Sequence, residues 1–369
     1  MRLEIIDDGD GVARLAPQWN ELLEHSAADC PFLTAEWLGA WWRFLSGAHR
    51  LQLIAVFDGA RLIAIAPLLV ARGPFGLFSR LEFLGTGYAG SDYLDLIVRL
   101  GHEREALPAL AGAIKQQKRT LRLNHVTHAS TAARLAEQLV EDGWTLRRTH
   151  AGICPVVTLA GQTWDSYLAS LGASHRANFR RRLRALTDRF DLRFDLVTSD
   201  AERRDGLATL IRFHEQRFGP RGSTAFLTPA VRAFQADATA RALARGWLRM
   251  YVLCLDGEPA GVMYGFAYHQ RFYFYQHGFD ASHARLSVGL VLMGLTIRAA
   301  LEEGACEFDM LYGTETYKSL WARDERQLAQ LQLFPPHLGG VVDRRTAEAE
   351  RTMRTVARRI LAIGAARAT

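Results

Sequence analysis

The sequence predicts an α/β (α+β) chain of two similar halves, each a mixed, mostly antiparallel sheet flanked by helices. Three observations carry this expectation. First, Trp247 to Gly313 reads as three apolar strands, a helix and one further strand. WLRMYVLCLD turns at Asp256-Gly257 into GVMYGFAYH, and RFYFYQHGFD follows; aromatic and β-branched runs joined by tight turns argue hairpins. In ARLSVGLVLMGLTIRAALEEG, Leu290, Met293, Ile297 and Leu301 recur at steps of three and four, a helical seam, before the strand CEFDMLYG. Second, the chain before that region gives a similar order of strand, helices, hairpin, strand, helix, strand and helix, so a doubled unit accounts for the length. Third, 369 residues with 49% hydrophobic and 23% charged side chains compose an ordinary globular chain with room for about two cores. The expected division is residues 1–150, residues 151–336 and a basic helical tail over 337–369.

Taken in order, residues 2–7 read as a strand and Leu15 to His25 as a helix, and Thr34 caps AEWLGAWWRFL. Trp37, Trp41 and Phe44 fall on one face of that helix, which reads as core. LQLIAVFD and RLIAIAPLLVAR form a hairpin around Asp58-Gly59. Residues 73–92 are rich in glycine and aromatics: either a connecting turn, or a binding loop with Tyr88, Asp92 and Tyr93 as polar contacts. YLDLIV and LRLNHV read as strands, each followed by a helix, and residues 143–160 as a long strand crossing between the halves.

Ser174 is expected to cap a helix whose Phe179, Leu183, Leu186 and Phe190 make an apolar seam. Arg176, Arg180, Arg181, Arg182, Arg184 and Arg189 cover most of the rest, as a solvated face, a phosphate or polyanion contact, or a membrane-surface element. Residues 219–228 form either a plain connection or an acceptor-side lid, and Pro229 opens the next helix. ETYKSLWA reads as a short helix and QLAQLQLF as the closing strand. In the tail, Met353, Val356, Ile360 and Ile363 make a stripe among Arg351, Arg354, Arg358 and Arg359, expected to pack on its own domain.

The net charge of +6 favours anionic ligands without making a nucleic-acid binder. The cysteines at 30, 154, 254 and 306 lack zinc or redox spacing, and no metal is expected. The acidic start MRLEIIDDGDG is unlike a secretory signal, and no apolar run reaches the ~18 residues of a membrane span, so a cytoplasmic location is expected. No nucleophile elbow, P-loop or H-E-x-x-H occurs.

Chemistry concentrates at Ala284-Arg285-Leu286-Ser287-Val288-Gly289-Leu290. A helix start offers unpaired N–H groups, Ser287 is expected to cap it, Gly289 permits close approach, and Arg285 adds charge, so the turn suits a diphosphate. A capped helix with a solvated arginine is the plainer alternative. On the following strand Glu307 and Asp309 share a face opposite Phe308 and Met310. Each is a candidate base, with His277 as a third; an ion pair with Lys318 or an arginine is the competing role for a carboxylate here.

Residues 171–190 (LGASHRANFRRRLRALTDRF), 276–290 (QHGFDASHARLSVGL) and 307–321 (EFDMLYGTETYKSLW) resemble the GCN5-related N-acetyltransferase (GNAT) superfamily. More narrowly they are similar to its CelD-type branch, found with bacterial cellulose and exopolysaccharide genes, and to the Fem-type aminoacyl transferases built from two such domains. The likeness extends loosely over residues 1–335; R-x-S-V-G stands where the family carries its Q/R-x-x-G-x-G/A pyrophosphate loop. The resemblance implies tandem GNAT-like domains, the first a degenerate copy that shapes the cleft. It further implies acyl-CoA (acetyl-CoA) as co-substrate, held by Arg285, Ser287, Val288, Gly289 and Leu290 with its arm between splayed strands. Asp309 is then the base, Tyr317 the acid for the leaving thiolate, and Lys318 an orienting group for donor phosphates or acceptor. The acceptor would be an amine or hydroxyl of a small molecule, saccharide or envelope precursor. Two alternatives stay open. One is an aminoacyl-tRNA-dependent transferase of Fem type, for which the missing loop and the basic helix speak. The other is a non-catalytic module of polysaccharide synthesis.

Overall fold

The computed structural model describes residues 1–73, 78–219 and 226–366, without the side chains at 350 and 354–366. The first half runs β1 (Arg2–Ile6), α1 (Gly9–Glu24), α2 (Ala35–Leu45), β2 (Arg50–Asp58), β3 (Arg61–Arg72), β4 (Ser79–Phe83), β5 (Ile97–Val98), α3 (Glu103–Gln116), β6 (Thr120–Val126), α4 (Thr131–Glu141) and β7 (Thr145–Thr158). The second runs α5 (Trp164–Ser170), α6 (Ala173–Arg189), β8 (Leu192–Leu196), α7 (Asp200–Phe218), α8 (Pro229–Ala244), β9 (Leu248–Leu255), β10 (Glu258–Tyr268) and β11 (Arg271–Phe279). It closes with α9 (Val288–Glu302), β12 (Glu307–Asp309), α10 (Thr316–Trp321), β13 (Asp324–Phe334) and α11 (Leu338–Ala366).

Among the described residues one thirteen-stranded sheet runs through the molecule in the order β1-β2-β3-β4-β6-β13-β7-β12-β11-β10-β9-β8, with β5 beside β3. Only β4–β6 and β11–β12 pair in parallel; the other pairs are antiparallel. Each half repeats a hairpin, a strand, a helix and a parallel strand, as the doubled sequence pattern predicts. The two centre strands are exchanged. β7 leaves the first half and pairs with β12 over Val156–Thr158, while β13 returns from the second and pairs with β6. The two then pair with each other from Asp324↔Val156 to Phe334↔Thr145, so neither half has a free inner edge.

Alternation on these strands sorts the core. One cluster fills the first half and continues over the face of the second that carries α7 and α8; the other lies on the opposite face under α5, α6 and α9. The tryptophan face of α2 does more than fill its own half. Trp37 packs edge-on against Phe234 (4.9 Å), Tyr275 (5.4 Å) and Phe266 (5.6 Å) of the second half. The α6 seam reads as expected in part, with Phe179 and Leu186 buried. Phe179 lies so close to α9 that a Cβ on Gly294 would come within 2.2 Å of its ring.

Several local expectations need correction. Ser174 lies inside α6, whose N-cap is Gly172 without a side-chain bond. YLDLIV pairs only at Ile97–Val98, because the Asp95 carboxylate turns away to accept the Thr131 and Ala132 amides at the start of α4. CEFDMLYG pairs over three residues only, since Leu311 adopts a left-handed φ of 54°. The tail packs on β13, and it also reaches the first half, where Asp343 accepts from Thr120, because β13 lies beside β6. Residues 220–225 of the expected lid, and the side chains of Val356, Ile360, Ile363, Arg354, Arg358 and Arg359, lie outside the described residues.

Burial raises the Asp95 carboxyl to about 6, against the lowering by the two α4 amides it accepts. The folded state therefore binds a proton here more readily than the unfolded chain, so this site adds stability below the unfolded pKa and loses it as pH rises through about 6. Melting of wild type against Asp95→Asn should show a wild-type advantage that is larger near pH ~4 than near pH ~7. A pH-independent difference would contradict it.

Candidate functional site

The site begins where β11 and β12 part. They pair at Arg271↔Glu307, Phe272↔Phe308 and Tyr273↔Asp309, with Phe272 and Phe308 stacked at 4.6 Å. Beyond that point β11 runs on to Phe279, while Met310 and Gly313 donate to the Pro155 and Ile153 carbonyls of β7. The register of β11 against β10 also slips between Tyr264 and Gly265, a bulge that turns the strand. The result is a wedge along β11 beyond Tyr273, where among the described residues no strand pairs on the β12 side.

Asp309 sits at the vertex, fully buried. It accepts from the Tyr93 hydroxyl (2.7 Å), from Arg326 (2.8 Å) and from the Leu311 amide (2.8 Å). Arg326 also bonds Glu307 (2.8 Å), so one guanidinium bridges both carboxylates of the strand. Burial pushes the Asp309 carboxyl up to about 6, with the Tyr93 bond and the Arg326 charge pulling the other way. Its partner is therefore Arg326, one of the arginines the competing expectation allowed, and not Lys318. Asp309, Tyr93, Tyr273, Arg271 and Arg326 line a cavity of about 200 Å³ between the halves.

His277 and Tyr317 meet across the mouth of the wedge, rings 5.4 Å apart. Burial, then His214, Arg217 and Lys318, push the His277 imidazole down to about 3, so it is neutral near neutral pH. Burial raises the Tyr317 phenol, which keeps its proton. His214 bonds the His277 carbonyl (2.9 Å) from α7. Lys318 is buried and reaches the Tyr312 carbonyl (2.8 Å) and Glu315 (3.3 Å), holding the loop after β12.

The turn expected to hold a diphosphate lies at the far end of β11. Six residues at ~3.3 Å each set it about 20 Å from the vertex. Ser287 stands at the start of α9 with φ 60° and ψ 38° and makes no side-chain cap, contrary to expectation. The preceding 3-10 turn, Ala281–Leu286, leaves it left-handed, whereas a capping side chain needs extended backbone. Its carbonyl accepts from Leu290 (3.0 Å) and Val291 (3.3 Å), and helix geometry leaves the Val288 and Gly289 amides without an intrahelical partner. Arg285 is exposed, and its carbonyl accepts from Arg182 of α6 (3.1 Å), which brings the basic helix to the turn. A Cβ at Gly289 would press on the Phe279 ring at 3.1 Å. Arg180, Arg181 and Arg184 line a groove on the exposed side of α6 with Asp188.

A sequence profile of the acetyltransferase (GNAT) domain family matches residues 173–319. That stretch of the second half is similar to a GNAT acetyltransferase domain. Solved structures similar to the whole chain include FemX, at TM-score 0.61 and 12% identity over 90% of this chain and 97% of that one. L-PGS from Bacillus licheniformis follows at 0.57 and 13%, over 89% and 94%. The C-terminal domain of a putative lysylphosphatidylglycerol synthetase from Agrobacterium fabrum reaches 0.55 and 12%, over 91% and 96%. At these identities the likeness is one of fold. No curated protein sequence matches. Among the described residues no helix is long and apolar enough to cross a membrane.

Sequence reading missed Arg326 and His125. Arg326 shows no local signal, because its partners are 17 and 19 residues away on another strand. Asp92, Tyr93 and Tyr88 were read only as possible loop contacts; the first two are joints between the halves. Tyr93→Phe removes one donor from a buried carboxylate and should lower stability by roughly 1–3 kcal/mol in denaturant melts. An unchanged midpoint would show that the bond contributes nothing.

Proposed function

We propose that the GNAT domain transfers an acyl group from an acyl-CoA, acetyl-CoA in the simplest case, to an amine or hydroxyl. The parting of β11 and β12 with Asp309 at its vertex is the observation that carries this reading. A donor whose diphosphate meets the Val288 and Gly289 amides and Arg285 must extend about 20 Å along the open edge of β11 to bring its thioester to the vertex. An unpaired β11 N–H beyond Tyr273 would face the developing oxyanion. Asp309, reached through the cavity it shares with Tyr93, takes the proton of the attacking N–H or O–H. The new acyl bond forms, the C–S bond breaks, and Tyr317 gives its proton to the departing thiolate. Neutral His277 packs on Tyr317 and keeps the mouth dry, and Lys318 positions both by fixing the loop that leads into α10. The acceptor as a saccharide or envelope precursor, a cytoplasmic setting, and the division at residues 150 and 336 belong to the same proposal.

A second reading, an aminoacyl-RNA donor, draws on the arginine groove of α6. Replacing Arg180, Arg181 and Arg184 with Gln should then reduce RNA binding and flatten its salt dependence by up to about three ionic contacts. If the triple variant loses acetyl-CoA affinity instead, the groove serves the donor of the first reading.

For the first reading, Arg285→Ala should weaken acetyl-CoA binding by roughly 1–3 kcal/mol in calorimetry. Unchanged affinity removes the turn from the donor site. Asp309→Asn should lower turnover by ~10²–10⁴-fold with donor binding kept. Wild-type kcat/KM should climb as pH rises through about 6, where Asp309 loses its proton, then level off. Tyr317→Phe should cost less than Asp309→Asn. A variant at 309 that melts early yet turns over normally per folded molecule would end the base assignment.

A further inference from the structure

The first half contains the same parting of strands. β4 and β6 pair in parallel at Arg80↔Thr120, Leu81↔Leu121 and Glu82↔Arg122. β4 then stops at Phe83, while β6 continues to Val126. Where the second half has an open edge and a helix start, here the chain after β4 turns through Gly85, Gly87 and Gly90, all at positive φ. A cavity of about 580 Å³ lies between this loop, the end of β6 and the exchanged strands β7 and β13, a volume usual for a small-molecule site.

Its lining is rich in uncharged hydrogen-bonding groups: Thr86, Ser91, Asn124, His125, Thr149 and Gln330. Arg122, which also lines it, leans toward Glu82 at 3.8 Å. The Gln330 amide donates to the Asn124 carbonyl oxygen (2.5 Å), leaving the Asn124 amide nitrogen and the Gln330 carbonyl oxygen for another partner.

His125 is the most constrained of these groups. Its backbone is left-handed at φ 55°, a conformation that costs free energy unless its surroundings hold it. Its Nδ1 lies 2.7 Å from Oδ1 of the buried Asp92, whose Oδ2 accepts from the Tyr312 amide at 2.8 Å. Its ring stacks on Tyr312 at 5.0 Å. With Nδ1–H donated to the carboxylate, Nε2 is left as an acceptor. Two exposed tyrosines adjoin lining residues: Tyr88, next to Gly87 of the loop (62% exposed), and Tyr312, stacked on His125 (49%). Hydroxyl and amide groups for polar contacts, beside the exposed Tyr88 ring for C–H surfaces, are the complement of a sugar ring.

We propose that this cavity binds a neutral saccharide, with His125 Nε2 accepting from one of its hydroxyls and Tyr88 covering one face. Occupancy reaches the acyl-transfer domain directly, because Asp92 holds both His125 and the amide of Tyr312, three residues beyond Asp309. Only the naming of this saccharide as the acyl acceptor rests on the function proposed above; its binding does not.

The test is calorimetric titration of the full chain with maltotriose, cellotriose and chitotriose, and in parallel with acetyl-CoA. At least one trisaccharide should bind. Tyr88→Ala, at an exposed loop tip where folding is not at stake, should weaken that binding ~2–10-fold. Gln330→Ala should weaken it by a similar ~2–10-fold factor. Acetyl-CoA affinity should be unchanged in both variants. Failure of all three trisaccharides to bind overturns the proposal, as does binding that neither substitution alters. Pyrophosphate binding that Gln330→Ala weakens, with no trisaccharide bound, would mark an anion site instead and overturn it equally. Saccharide binding without acetyl-CoA binding would leave this inference standing and remove the donor reading alone.

Discussion

The arrangement depends on two adjacent residues between the halves, the buried Asp92 and the half-buried Tyr93. Asp92 holds His125 of its own half and the Tyr312 amide of the other. Tyr93, left-handed at φ 59°, swings its hydroxyl onto Asp309. Beside them Ser91 accepts from the Trp37 indole, and Asp95 caps α4. Burying so many polar groups in one short segment is costly unless each finds a partner, and each does. The segment therefore fixes how the halves meet, and it does so at the vertex of the wedge.

The exchange of β7 and β13 adds a covalent constraint to that polar one. Each half is completed by a strand from the other, so separating them would expose backbone edges on both sides and strip the Trp37 cluster of its partners. The halves are thus energetically one unit, although the sequence repeats. This also explains why the tail helix, packed on β13, reaches β6 of the first half as well. The last strand has already carried the chain across.

What the sequence made legible was whatever is local or periodic. The strands from Leu248 to Phe279, the α9 seam and the crossing strand at 145–158 follow from alternation, steps of three and four, and turn residues. So does the fact that Arg285, Gly289, Asp309 and Tyr317 occupy successive elements of one unit. What remained hidden was set by long-range partners. Arg326 is an ordinary strand arginine until β13 is known to lie beside β7 with β12 on its other side. His125 sits in LRLNHV like any edge residue, and only the buried Asp92, 33 positions earlier, makes it a directed acceptor. Ser287 misled for a related reason. The residue type suited a cap, but the 3-10 turn before it fixed a backbone from which the side chain cannot reach.

The same physics separates the fates of the two openings. At the second-half vertex a carboxylate with a raised pKa faces a small cavity, and the edge beyond it ends at a helix start with free amides and an arginine. Those are requirements for holding an extended anionic donor and moving a proton. At the first-half opening the equivalent register pair is Glu82↔Arg122, so an arginine stands on β6 where β12 carries Asp309, and the edge beyond is replaced by a glycine loop bearing an exposed tyrosine. An arginine at that position leaves no carboxylate there, and losing the edge removes the seat for an extended arm. What survives is volume, hydroxyls, amides and one oriented imidazole, a set that can bind without reacting. The bond from the Tyr312 amide to Asp92 joins this opening to the loop after β12, alongside the Tyr93–Asp309 bond and the exchanged strands.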